Sequence, residues 1–205
     1  MGWLALALFA LYAALGFGWR AWLQRRRTGD TGLRGFHGRP GSLGWWAGAL
    51  FLIGALLVPV GALAHALGMP PLPGVGAASL AWVGLVLALL GVVGTVWTQL
   101  AMGTSWRVGV DETERTTLVT EGPFGLARNP IFTMMVLTVL GLTLMTPNPL
   151  SVLALVVITV AIQLQVRVVE EPYLARTHGE GYAAYLASVG RFVPGVGTVG
   201  EGVRR

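Results

Sequence analysis

The chain has 205 residues, of which 54% are hydrophobic and only 11% are charged, against roughly 25% charged in an average soluble domain. That balance excludes an ordinary water-soluble domain, and the length leaves room for one domain with no separate soluble catalytic unit. The formal charge is +5, every basic residue is an arginine, and the lack of cysteine removes disulfides, thiolate metal sites, thiol nucleophiles and palmitoylation together.

A helix crossing the hydrocarbon core needs about 20 mostly apolar residues, and five windows fit that pattern. They run from about Gly2 to Trp19, Trp45 to Leu67, Ala77 to Met102, Ile131 to Thr146 and Leu150 to Val166. The stretch Met69-Pro-Pro-Leu-Pro-Gly74 separates the second and third. Thr146-Pro-Asn-Pro149 joins the last two and is short enough to force an antiparallel hairpin. Arg20, Arg25, Arg26, Arg27, Arg34 and Arg39 lie between spans one and two, and Arg107, Arg115 and Arg128 between three and four. Arg167, Arg176, Arg191, Arg204 and Arg205 follow span five. The other connections and the N-terminus carry none, so the positive-inside rule predicts a multi-pass cell-membrane protein with its N-terminus outside and its C-terminus cytoplasmic. All acidic residues fall on that same cytoplasmic side. In the first apolar run the positive charge comes after the run, which predicts a retained helix and not a cleaved signal peptide.

Small residues at helical spacing, Gly44 and Gly48, then Gly84, Ala88, Gly91 and Thr95, predict close helix packing. The polar content is concentrated after Met102. Gly103 to Glu112 and Thr116 to Phe124 form a cytoplasmic segment, with Thr116 to Thr120 β-branched and expected to be extended, and Gly122-Pro123 expected to turn. Asn129-Pro130 has the pattern of an N-cap and first helical position for span four. The positive dipole end of that helix, with Arg128 beside it, offers a place for a carboxylate or phosphate, or simply a capped helix with an arginine among lipid headgroups.

Beyond span five, Arg167, Glu170 and Glu171 stand at i, i+3 and i+4, so a continuing helix would let Arg167 reach both carboxylates. Tyr182, Tyr185, Leu186 and Val189 make an apolar stripe on a short helix opening near Glu180, expected to close the bundle as a lid with Arg191-Phe-Val-Pro194. His37, His65 and His178 form no ligand cluster in sequence, which points to no metal site. No P-loop, GxGxxG or Ser-His-Asp pattern is present, and the arginines read as topology signals with lipid and water as partners, not nucleic acid.

At these residues the chain resembles the integral-membrane methyltransferases that include isoprenylcysteine carboxyl methyltransferase and the phospholipid methyltransferases. The matching elements are Thr117-Leu-Val-Thr-Glu-Gly-Pro-Phe-Gly-Leu-Ala-Arg-Asn-Pro-Ile-Phe132, Glu170-Glu171, Gly179-Glu-Gly-Tyr-Ala-Ala-Tyr185 and Arg191-Phe-Val-Pro194. The resemblance covers about residues 97–195. It implies a single membrane domain over 1–205, with residues 1–96 supplying anchoring helices one and two and most of helix three, and 97–195 forming a methyltransferase-like core. It implies an all-α bundle of five transmembrane helices with a cytoplasmic cofactor pocket and a C-terminal lid helix.

The implied cofactor is S-adenosylmethionine. Its site would comprise Thr116, Leu118, Val119, Phe124, Arg128, Asn129, Pro130, Ile131 and Glu170. Arg167 stands about one position from a substrate-side arginine of the family, and Glu170 or Glu171 would take a proton from an ammonium acceptor, so Arg167 and Glu171 carry the catalytic assignment. Asn129 replaces a usual histidine, Phe132 an often-found tyrosine, and Thr116 the histidine of the carboxyl methyltransferases. The implied partner is a lipid or lipophilic small-molecule acceptor, with isoprenylcysteine-type carboxyl methylation first and phosphatidylethanolamine N-methylation as the alternative. A sterol-reductase-like membrane enzyme and a non-catalytic membrane scaffold are the readings from other classes.

Overall fold

Long apolar runs cannot leave backbone amides unpaired in lipid, so they fold as helices whose hydrogen bonds close within the segment. The computed structural model describes residues 1–34, 37–109 and 117–199. Among these residues the chain is helical, with three isolated β-bridges and no strand. Five helical runs follow in order: α1 Gly2–Thr28, α2 Leu43–Ala66, α3 Ala78–Ala101, α4 Pro130–Met145 and α5 Pro149–Ser188. Four of them, all except α4, are long and apolar enough to cross a membrane. Their outward faces carry exposed apolar side chains such as Leu56, Val83, Leu90 and Val93, as a lipid-facing surface requires.

The helices begin close to the expected windows, but α1 and α5 run well past them. Hydropathy marks where lipid ends, whereas a helix stops only where its backbone is turned. In α1 that point is Gly29, whose left-handed backbone (φ 81) lets its amide close onto the Arg25 carbonyl. The first 20 or so residues of α5 suffice to cross the core, so its membrane-spanning part is about 149–168 and the rest projects beyond it. Both long helices contain a π-helical turn, Ala14–Trp19 in α1 and Gln165–Glu170 in α5. Gly179 (φ 51, ψ −121) then breaks α5, so a separate short helix does open at Glu180.

With 16 residues, α4 spans about 24 Å, less than the hydrocarbon core. None of its residues is exposed. It is the central helix, and α3 packs along it through glycines. A Cβ on Gly84 would stand 2.6 Å from the Gly141 carbonyl oxygen, and one on Gly91 would stand 2.6 Å from the Thr138 amide, so backbones touch where side chains would collide. Gly54 and Gly61 of α2 face Ile158 and Ser151 of α5 in the same way.

The two ends of the bundle differ. At one, the arginine-free connections meet: the Leu72 amide donates to the Pro147 carbonyl (2.7 Å), and Asn148 donates to the Gly61 carbonyl (2.8 Å) while accepting from the Leu150 and Ser151 amides that open α5. The expected hairpin at Thr146–Pro149 is therefore a buried, capped junction. At the other end lie the arginine-bearing connections and the projecting part of α5.

Candidate functional site

Because α4 begins late, at Pro130, the arginine-bearing end has room above its first turn. A cavity of about 320 Å³ occupies that space. Leu118 and Val119 line it from the segment before α4, Phe124 from the turn at Gly122–Gly125, and Arg128, Asn129, Pro130 and Ile131 from the helix start. Glu170 lines it from the π-helical turn of α5. Eight of the expected cofactor residues are thus brought to one cavity, across more than forty positions of sequence. The ninth, Thr116, lies outside the described residues. Residues 117–120 have no regular secondary structure, and the Gly122-Pro123 turn forms as expected.

Glu170 is partly accessible through the cavity, yet the protein around its carboxyl is dense enough that burial pushes its pKa up to about 7. The Gln165 side-chain amide, which donates to it at 3.4 Å, and the charge of Arg107 oppose that rise, while the neighbouring Glu171 adds to it.

Glu171 does not line the cavity. It clasps Arg191 through two hydrogen bonds (2.7 and 3.0 Å) and accepts from Arg128 at 3.1 Å. Its carboxylate holds the Arg191 guanidinium above the usual arginine range. The other Nη donors of Arg128 go to the carbonyls of Leu186, Val189 and Gly197, while its buried Nε has no hydrogen-bond partner among the described residues. Its side chain is 1% exposed. The cation expected at the α4 N-terminus is therefore paired within the protein and ties residues 189–199, the C-terminal strap, to the cavity wall.

Asn129 occupies the N-cap position, but its side chain does not cap. Its Nδ2 donates to the Arg191 carbonyl (3.1 Å), the same oxygen that accepts from the Asn129 backbone amide. The strap is held along its length by the Arg128 amide to Gly190 (2.8 Å) and the Asn129 amide to Arg191 (3.0 Å). Tyr185 donates to the Phe124 carbonyl at 2.6 Å, and burial raises its pKa to about 12. The aromatic stripe of Tyr182 and Tyr185 is buried on the bundle.

Arg167 stands apart. It is exposed and donates to Gln163 (2.9 Å), with no contact to Glu170 or Glu171. The predicted i, i+3, i+4 pairing assumed a regular α-helix, whereas Gln165–Glu170 is a π-helical turn and the Glu171 carboxylate is engaged with Arg128 and Arg191.

Several cavity residues were not singled out by sequence. Arg107 donates to the Tyr173 hydroxyl at 3.4 Å, with its guanidinium 5.4 Å from that ring's centre, and both line the cavity. Phe17, Arg34, His37, Gly48, Phe51 and Leu52 line it from the first 96 residues. The Trp-Arg pair at 106–107 inside a polar segment was the available signal; the others carried none, because only contacts between distant helices bring them in.

Residues 80–181 match a family model described as phospholipid methyltransferase. The chain belongs to the phospholipid methyltransferase family. A search of the curated proteins finds no match. The matched span of this phospholipid methyltransferase-family chain contains nearly all of α3, residues 117–129, α4, and Glu170 and Glu171 of α5, so the eight expected residues at the cavity all lie within it. Family and architecture together make it a multi-pass membrane protein of a methyltransferase family.

Proposed function

We propose that the protein is an integral-membrane enzyme that moves a methyl group from S-adenosylmethionine to a lipophilic acceptor at the cytoplasmic interface, with α4 as a fifth span, the N-terminus outside and the part of α5 after Gly179 as a lid. The observation that carries this reading is the convergence of Glu170 with the 118–131 segment on one cavity at the arginine-rich end, inside the family-matched span.

The donor set suits the cofactor's chemistry. Its volume falls at the small end of the roughly 300–1,000 Å³ range of ligand sites. A flat base fits the apolar surface of Leu118, Val119, Phe124 and Ile131, with backbone groups of the same segment meeting its edge. The Glu170 carboxylate can accept from ribose hydroxyls or face a cationic sulfur, and bringing a cation to it restores the charged form that burial disfavours. When bound, the cofactor supplies an electrophilic methyl group on a sulfonium sulfur, displaced in line by the acceptor's nucleophile.

The chain's own part is alignment and exclusion of water, which is what such a displacement needs. Glu171, Arg128 and Arg191 act as positioning residues that hold the strap and lid. Where the acceptor is an ammonium headgroup, Glu170 stands in the cavity with a pKa suited to taking its proton near neutrality. The family match favours such an amine acceptor on a phospholipid over an isoprenylcysteine carboxylate.

The test is calorimetric titration of S-adenosylmethionine and S-adenosylhomocysteine into the detergent-purified protein, followed by radiolabel transfer into lipid fractions. Binding weakened about tenfold by Glu170→Gln, a loss of roughly 1.4 kcal/mol, is expected. No heat at millimolar cofactor would overturn the reading.

A further inference from the structure

Two residues of the cavity wall, Arg34 and His37, come from the connection between α1 and α2, outside the family-matched span, and meet Arg107 from the segment after α3. We propose that these three side chains form a cationic subsite that takes the phosphodiester of a phospholipid acceptor, an inference that rests on the methyltransferase reading for its place in the reaction.

The connection is built, not merely near. The Val108 amide donates to the Gly32 carbonyl (2.8 Å) and the Arg34 amide donates to the Val108 carbonyl (2.9 Å), so the backbones carrying Arg34 and Arg107 run side by side. Gly32 permits this approach: its backbone is left-handed (φ +72), and a Cβ there would lie 3.2 Å from the Trp106 ring. Asp30 accepts from the Gly32 amide (2.6 Å) and from Arg34 Nη1 (2.8 Å), fixing both the turn and the guanidinium. Arg107 is fixed on the other side by Tyr173. Among the described residues, two carboxylates belong to this region: Asp30, half exposed and engaged with Arg34, and Glu170, which also lines the cavity.

The wall next to the cationic groups identifies the ligand. His37 lies against Gly44 of α2, and the cavity wall continues down that helix through Gly48, Phe51 and Leu52. Leu52 is 50% exposed on the outer face of a membrane-spanning helix. From Gly44 to Leu52 is eight residues, about 12 Å of helix. A cationic rim that passes directly into an apolar wall reaching the lipid-facing surface matches an amphiphile with an anionic linkage between headgroup and chain. A phosphodiester accepts planar, charge-assisted hydrogen bonds from guanidinium groups. The cofactor's carboxylate is the other oxyanion that could sit there, but it carries no apolar chain to follow the α2 wall.

The experiment uses the full chain in detergent with two acceptors, dihexanoyl phosphatidylethanolamine and the same dihexanoyl glycerol bearing an aminoethyl ether without phosphate. Binding of each lipid is measured without cofactor, S-adenosylhomocysteine binding is measured separately, and methyl transfer gives KM. For Arg34→Gln/His37→Gln, the expected result is a tenfold or greater rise in Kd and KM for the phosphodiester lipid only. The ether analogue and S-adenosylhomocysteine stay within twofold, and Arg34→Lys with His37 intact recovers most of the loss. Equal weakening of both lipids, or no weakening of either, overturns the subsite. A tenfold loss of S-adenosylhomocysteine binding with lipid binding unchanged assigns the oxyanion to the cofactor and overturns it as well. Arginine-dependent phospholipid binding in a protein that binds no cofactor would uphold the subsite and sink the methyltransferase reading alone.

Discussion

Arg20 offers the sharpest test of how the N-terminal helix supports the cavity. It is fully buried, just past the π-helical turn of α1, and it donates to neutral acceptors. It donates to Gln24 Oε1 at 3.1 Å and to the carbonyls of Gln99 (3.5 Å) and Gly103, and its guanidinium lies 4.6 Å from the centre of the Trp106 ring. Gln24 in turn donates to the Thr104 carbonyl at 2.7 Å. The network thus ties α1 to the segment carrying Trp106 and Arg107 into the cavity. In Arg20→Met the stem is kept and the charge removed. The Gly103 carbonyl and Gln24 Oε1 lose their donor, at about 1 to 3 kcal/mol each where they stay dry. The cation–π contact, worth up to about 2 kcal/mol when desolvated, is lost as well. Relief from holding a charge out of water offsets part of this. The net expectation is about 3 kcal/mol, which for a chain of this size is a fall in Tm of roughly 6–12 °C. Thermal melting in detergent, followed by tryptophan emission, reads both the stability and the environment of Trp106. Arg20→Lys should recover part of the loss. Unchanged melting and emission in Arg20→Met would refute the claim that this guanidinium fastens α1 to the cavity segment.

Removing the clasp by Glu171→Ala leaves Arg128 and Arg191 without their carboxylate, and the partial exposure of Glu171 and Arg191 keeps the cost near 2–3 kcal/mol, below the roughly 3–5 of a fully buried pair. The amides of residues 189–199 should then exchange hydrogen at least tenfold faster, and protection equal to wild type would show that the strap is held by its backbone contacts alone. The raised pKa of Glu170 makes stability depend on pH. Its folded value of about 7 exceeds the ordinary 4.5, so between those values the folded state keeps a proton that the unfolded chain releases, and stability falls as pH rises through the window. The full effect is about 3–4 kcal/mol at most, from roughly 1.4 per pKa unit, lessened by water in the cavity. Denaturation midpoints of the cofactor-free protein should therefore drop from pH 5 to 7.5 in wild type and stay flatter in Glu170→Gln; parallel curves would take the titration away from Glu170.

The helical class, the place of each apolar run and the segregation of arginine to one end follow from local chemistry: hydropathy over twenty residues, proline and asparagine at helix starts, and charge counts per connection. So does the composition of one part of the cavity wall, because Leu118 to Ile131 is a contiguous stretch and Glu170 stands beside the end of a hydrophobic run. Tertiary structure decided what each polar group faces. Arg167 bonds to Gln163, while Glu171, which it was expected to meet, is engaged by Arg128 and by Arg191, twenty positions farther along the chain. The strap took the Asn129 side-chain amide and most of the Nη donors of Arg128. Phe17, Arg34 and His37 joined the cavity only because α1 and α2 pack against the family-matched half. The physical reason is range: hydropathy and capping act over a few residues and are written in order along the chain. Which donor finds which acceptor depends on helix phase and close packing between segments scores of residues apart.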